Sequence, residues 1–580
     1  MAAYFWVGGS GTWSGTGNTQ FAITSGGTPT ILNPTSADTV TFDANSGTAA
    51  TVTVTATAVS LNTTINKADI NISLSGSPTL CTSAGVLTFT TGTITLNNFI
   101  LTTGLLTATT SAVRAISFGT GNITCTGNNV FVWNFANLDT TTFTGTPVVN
   151  FTYSGATGTR SIRHGNSSGL TEARAVSFNI SAGTDIISIL GGPKNLTFTG
   201  FAGTMTNTAQ TIYGNLVIST GMTLTAGTSG FTFAATSGTQ QITSNNKTFD
   251  FPVTQNGVGG IVQLQDNLTM GASRTYTLTN GTLDLNSKIL NTGLFSSSNA
   301  NTRSIAFNTG NITLTGNAAI IWDSTTATGF SYTGTSTINC TYSGSVGTRT
   351  IKSNSSTGGN ETNALSFNIS AGSDIVTLTA GGTNAFKNLN FTGFSGSLGT
   401  VASANNIYGN LTLSSTMSVA TSAGSLTFSA TSGTQQITTN TISIDRPITF
   451  NGIGGTFAFQ DALTQGSTQT FTITNGTVQL KSGVTSTVGA FATSGTNQKY
   501  LQSTLAGTQA TLTQATGTVN ASYLTIKDIN AIGGATWLAY TDQSNIDAGN
   551  VDGWNFGISP VVGGAEYTYR LRSFTQPRRF

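Results

Sequence analysis

The chain has 580 residues, a formal net charge of +2 and only 7% charged side chains, with 70 glycines against 9 prolines. Ordinary soluble domains carry about 25% charged residues, so this composition excludes a charge-laced helical bundle and a strongly basic nucleic-acid binder. Low charge with abundant Gly is also compatible with disorder, but period-2 alternation argues against that: TVTVTA at Thr51–Ala56 and LTFTTGTIT at Leu87–Thr95 place apolar residues at i and i+2, as half-buried strands do.

The opening segment, MAAYFWVGGSGTW, has neither a basic stretch nor a continuous apolar core, so no secretory signal peptide is expected. No run of 18 apolar residues follows, and no membrane insertion is expected. Trp6 and Trp13 lie here, Trp537 and Trp554 near the other end. The four are read as caps over the open ends of a stacked-strand body, whose edges would otherwise template aggregation. Residues 1–47 are accordingly taken as an N-terminal cap with the first strands.

Residues 48–500 repeat themselves, with copies near 112–290 and 301–485. RAISFGTGNI at Arg114–Ile123 recurs as RSIAFNTGNI at Arg303–Ile312, an offset of 189 shared by TYSG-x-x-GTR at Tyr153 and Tyr342, by Glu172 and Glu361, and by FNISAG at Phe178 and Phe367. The offset becomes 195 for IYGNL at Ile212 and Ile407 and for ATSGTQQIT at Ala235 and Ala430. A third, partial copy at Leu87–Leu96 matches Tyr276–Leu285 and Phe471–Leu480. Fixed-period self-similarity marks a repeat architecture. With β-branched Thr and Val, Gly/Asn corners and few helical periods, it predicts an all-β fold: a single-chain right-handed parallel β-helix, a solenoid with capped ends. Stacking at about 4.8 Å per coil, with roughly 20–25 residues per coil, predicts a rod on the order of 110 Å long. A string of β-sandwiches or a propeller is the weaker reading, because regular two-residue Asn-Gly hairpins are missing.

The duplication also filters candidate chemistry. Cys81, Cys125 and Cys340 face Met270, Leu314 and Phe151 in the other copy, so they are read as buried small hydrophobes rather than disulfide partners or zinc ligands. His164 faces Ser353, which removes a His-based triad or metal site from a per-repeat role. Arg160 and Arg163 recur as Arg349 and Lys352, and Glu172, Asp185 and Asp266 as Glu361, Asp374 and Asp461. Two carboxylates about 5–9.5 Å apart would serve glycoside hydrolysis. The plainer expectation is surface ion pairs, such as Glu172 or Glu361 with the recurring Arg, or turn residues. Trp133 and Trp322 are equivalent and read as packing residues. Thr-x-Thr steps are too irregular for an ice-ordering ladder. No catalytic, metal or cofactor site is expected.

After a C-terminal module at 501–557, residues 558–580 form a basic aromatic tail. Its end, EYTYRLRSFTQPRRF, sets four arginines against one glutamate behind Gly563–Gly564. Arg570, Arg572, Arg578 and Arg579, with Phe574 and Phe580, are read as a docking peptide. Four arginines are a small footprint for nucleic acid, and none is expected as a partner.

YFWVGGSGTWSGTGN (Tyr4–Asn18), PTSADTVTFDANSG (Pro34–Gly47), the central stretch Thr279–Gly316 and the closing module LQSTLAGTQATLTQATGTVNASYLTIKDINAIGGATW…NIDAGNVDGWNFG resemble β-helical virion proteins of tailed phages, notably those of aquatic bacteria. The resemblance runs nearly to Gly557. It implies a non-enzymatic structural rod on capsid or tail, assembled in the host cytoplasm, with other virion proteins as partners and host surface glycans as contacts. A tailspike or fibre with receptor-binding or glycan-depolymerising activity is the runner-up, and a bacterial surface adhesin the third reading. Phage spikes of this shape are often trimers, so a homotrimer is implied, although no trimerising C-terminal domain is recognisable. A separate N-terminal particle-binding domain is also missing from the pattern, which shifts the expected anchor to the tail.

Overall fold

The computed structural model describes residues 1–128, 130–206, 209–354, 359–378 and 382–560. It is all-β: parallel strands stack coil upon coil into a β-solenoid of about 23 turns. The only helical elements among the described residues are two 3₁₀ turns, Glu172–Arg174 and Thr541–Gln543. The chain divides into two compact units, Met1–Ser403 and Ala404 onward.

In the first unit, apart from the antiparallel pairing of Ala3–Trp6 with Phe21–Ala22, strands pair in parallel with those of neighbouring coils. Arg114–Ser117 sits in register on Gly92 to Thr95 on one side and Thr141–Thr144 on the other. Alternation then decides which residues see water. One inward ladder runs Leu101, Ile123, Val149, Phe178, Leu196, Leu216, Ile242, Leu264, each against the next in register and all buried. Their sequence neighbours point outward: Thr124, Asn150, Asn179, Thr197 and Val217 form the matching partly exposed row.

The second unit repeats the principle with two further apolar ladders. Phe457, Val478, Leu501 and Ile526 form one ladder. Leu426, Ile448, Phe471 and Phe491 form another, with Phe471 and Phe491 stacked at 5.8 Å. Burial of these side chains contributes roughly 1.5–3 kcal/mol each.

Corners depend on left-handed backbone. The Gly of the thrice-repeated x-N/T-G-T motif falls at Gly92, Gly281 and Gly476, with φ of +109°, +77° and +87°. At Gly281 a Cβ would lie 2.3 Å from the Gly260 carbonyl oxygen of the coil below. Only glycine avoids both the conformational penalty and the clash.

Candidate functional site

Every chemistry-bearing residue in this fold is sorted first by strand parity. Arg160, Ile162 and His164 share the inward face of Thr159–Ser168, whereas Arg163 faces out. The recurring arginines are therefore core residues, contrary to the expected surface ion pairs. Arg160 and Arg349 are fully buried, and Asp185 and Asp374 are each 2% exposed. Arg160 binds Asp185 with two hydrogen bonds, Nε to Oδ2 at 2.7 Å and Nη2 to Oδ1 at 2.8 Å. Arg349 and Asp374 reproduce this at 2.8 Å for both. Each guanidinium also lies between two rings, Tyr153 and Phe201 in one copy, Tyr342 and Phe394 in the other. The pairing with Glu172 or Glu361 does not form. Glu172 accepts from the Thr236 backbone N–H and hydroxyl, and Glu361 pairs with Lys387 at 3.6 Å. Asp266 and Asp461 hold turns, accepting from the backbone of Ser244 and Asn245, and of Thr439 and Asn440.

Arg114 and Arg303 were the residues sequence reasoning passed over. Both are 1% exposed. Arg303 is held by the carbonyls of Ser297, Asn301, Thr326 and Thr328 and by the Ser297 hydroxyl. Burial pushes its guanidinium down to about 10, still cationic at neutral pH. The signal was present: Arg114 and Arg303 share parity with the apolar Ile116 and Ile305 two residues on.

His164 is fully buried beside Trp133. The Trp133 indole N–H donates to its Nδ1 at 3.4 Å, which leaves Nε2 as the donor to the Arg174 carbonyl at 3.0 Å. Desolvation lowers the imidazole to about 4, with the Arg174 bond opposing. It is a neutral packing residue at pH 7. The three cysteines are buried, and burial raises each thiol, Cys340 to about 12. Among the described residues no group of three or more His, Cys, Asp or Glu could hold a metal ion, and no helix is long and apolar enough to cross a membrane.

Trp6 and Trp13 lie in the first coils, fully buried. Phe21 packs edge-on against both, at 5.1 and 5.9 Å, on a short segment antiparallel to Ala3–Trp6. In the second unit Trp554 sits in register on Trp537, with ring centroids 4.9 Å apart, and both meet Phe491. The tail residues Arg570, Arg572, Phe574, Arg578, Arg579 and Phe580 lie outside the described residues.

What the solenoid offers to an outside partner is its outward rows. In the first copy Asn150 Nδ2 donates to Asn122 Oδ1 at 3.0 Å, and Asn179 Nδ2 to Asn150 Oδ1 at 3.1 Å. The second copy repeats this with Asn339 to Asn311 and Asn368 to Asn339, both 3.2 Å. Beside the first ladder runs a shallow groove of about 390 Å³, lined by Ser177, Asn179, Asn195, Thr197, Thr199 and Asn215 with Val148 and Val217 at its margins. These are neutral donors and acceptors on a rigid scaffold. No known family, curated protein or solved structure matches the chain.

Proposed function

We propose that the chain is a non-enzymatic structural protein of a tailed-phage particle: a β-solenoid displayed on capsid or tail, attached through its basic aromatic tail, with outward Thr, Ser and Asn rows that touch host glycans. The observation that carries this reading is the amide ladder. Asn150 and Asn179 each hold their side chain by hydrogen bonds to neighbouring coils. Each amide has two N–H donors and two acceptor lone pairs, so capacity remains for an outside hydroxyl. Sites of this kind, repeated along parallel coils, suit weak multivalent contact. The resemblance of the opening and closing modules to phage virion proteins supports the placement on a particle.

The test is particle incorporation. Deleting 566–580 is expected to give particles that lack the protein while the purified solenoid keeps its melting temperature. Unchanged incorporation would overturn the anchoring role. Immunogold labelling of intact particles distinguishes head from tail, and its failure on every particle preparation would sink the virion assignment.

A further inference from the structure

The outer face of the first unit carries a second groove, of about 340 Å³, lined by Thr275, Thr277, Leu294, Ser296, Ile320 and Asp323. Three successive coils build it. Thr275–Leu278 lies in register with Leu294–Ser296, which lies in register with Trp322–Ser324, so that Thr277, Ser296 and Asp323 form one outward row. Trp322 faces the core, and parity sends Asp323 to the surface.

Asp323 differs from the recurring aspartates Asp185, Asp266, Asp374 and Asp461. It neither neutralises a buried arginine nor bridges two coils. Its Oδ1 accepts from the Thr325 N–H at 3.0 Å and the Thr325 hydroxyl at 2.6 Å. The carboxylate is thereby fixed at the edge of the groove, with Oδ2 left for a ligand. The next strand places Lys352 in register with Asp323, and the two are not ion-paired within the described residues. The Asp323 carboxylate and the hydroxyls of Thr275, Thr277 and Ser296 line the groove together with an apolar patch of Leu294 and Ile320, the latter 36% exposed, and the Lys352 ammonium lies on the next coil. Charges of both signs one coil apart disfavour a strongly anionic or cationic ligand. Vicinal hydroxyls above a ring's apolar face match all three elements.

We infer that this groove is a binding site for neutral pyranose sugars, in which Asp323 accepts from vicinal ring hydroxyls and Leu294 and Ile320 support the ring. The assignment rests on the reading that the outward face meets glycans. The first copy is a built-in contrast. Its counterparts are Phe131, Asn134 and Arg163, with the guanidinium 4.0 Å from the Phe131 ring centroid and no carboxylate at the Asp323 position. The arrangement at Thr275–Asp323 is therefore not repeated around Asn134.

The experiment measures retention of the full chain on immobilised neutral hexose oligosaccharides (glucan, mannan and galactan series) and on hexuronate oligomers. Wild type is expected to bind at least one neutral series. Asp323→Ala and Ser296→Ala should each weaken that binding, the former by about tenfold or more, as loss of a charged hydrogen-bond acceptor does. Both variants should melt with wild type. If wild type binds a neutral series and neither groove variant weakens it, the site is wrong while the glycan reading stands. Binding to no sugar removes both. Binding confined to the hexuronates overturns the neutral class assigned to Asp323. Should Asp323→Ala melt early, Ser296→Ala, which leaves the Thr325 bonds intact, decides alone.

Discussion

The stretches 114–201 and 303–394 of the two copies keep one device and exchange another. Both keep the buried arginine, its bidentate aspartate and the flanking rings, with bond lengths that agree within 0.1 Å. The surroundings of the equivalent tryptophans differ. Trp133 stacks on Phe135 at 4.3 Å and donates to His164. In the second copy Ser324 and Ser353 occupy those two positions. There Trp322 stacks on Phe295 at 4.4 Å and donates to the Ser324 hydroxyl at 2.9 Å. A buried ion pair resists drift because losing either member strands a charge in the core. A neutral slot tolerates exchange of both neighbours, provided the indole N–H keeps an acceptor.

The largest expected effect tests the conserved half. Arg160→Ala leaves Asp185 buried and uncompensated, and Arg349→Ala does the same to Asp374. Each should cost about 3–5 kcal/mol, read by denaturant unfolding, with hydrogen exchange locating the loss in its own copy. A much smaller cost in one copy would show that the matching geometry conceals different energetics. Replacing Arg160 and Asp185 together by Leu should cost far less than Arg160→Ala.

The exchanged half predicts a pH response confined to the first copy. The His164 imidazole is lowered to about 4 from the ordinary 6.5, so the unfolded chain binds the proton first. The contribution of neutral His164 is complete above pH 6.5 and is lost as pH falls toward 4. The loss amounts to about 3 kcal/mol over that window. Hydrogen exchange at pH 7 and pH 4.5 should show strands around Trp133 losing protection relative to those around Trp322. In His164→Ser the difference should vanish, and its persistence would assign the response to another group.

A third, smaller effect compares corners. Gly281→Ala and Gly476→Ala place a Cβ on left-handed backbone and against a carbonyl oxygen, at 2.3 Å from Gly260 and 2.5 Å from Gly452. Each should cost roughly 1–3 kcal/mol. Gly238, whose φ is +71° with open space around its Cβ position, should tolerate Ala better, and equal costs would mean that strain rather than contact dominates.

Parity explains what could be read in advance. The strand alternation and the duplication carried the solenoid, the buried cysteines and the paired tryptophans, because each depends on residues close in sequence or on a fixed offset. The same parity places Arg160 with Ile162 and Asp185 with Ile187 on inward faces, against the surface position expected from their charge, and the bidentate ion pair is what lets both charges stay buried. The partner of each arginine was harder to read. Asp185 meets Arg160 only because the coil between them has that particular length, and a bulge near Asn137 shifts the neighbouring register. Coil length varies along the chain, so residues brought together across coils, including Thr277, Ser296 and Asp323, carry no sequence spacing that announces them.

The smallest effect turns on one outward residue. The amide ladders of the two copies match up to Asn179 and Asn368, and then diverge. In the first copy Thr197 lies in register with Asn179, and the hydroxyl of Thr199 reaches Asn179 Oδ1 at 3.1 Å. In the second copy Asn390 takes the place of Thr197, and its own Oδ1 captures the Thr392 hydroxyl at 2.7 Å and the Thr392 N–H at 3.0 Å. Asn179 therefore carries a hydrogen bond that Asn368 lacks. Asn179→Ala should destabilise its copy more than Asn368→Ala does, by about 0.5–1 kcal/mol for one partly exposed bond. Asn390→Thr should release the Thr392 hydroxyl toward Asn368 and bring the two costs together. If they stay apart in that background, the difference between the ladders lies in the coils beneath them and not in the residue at position 390.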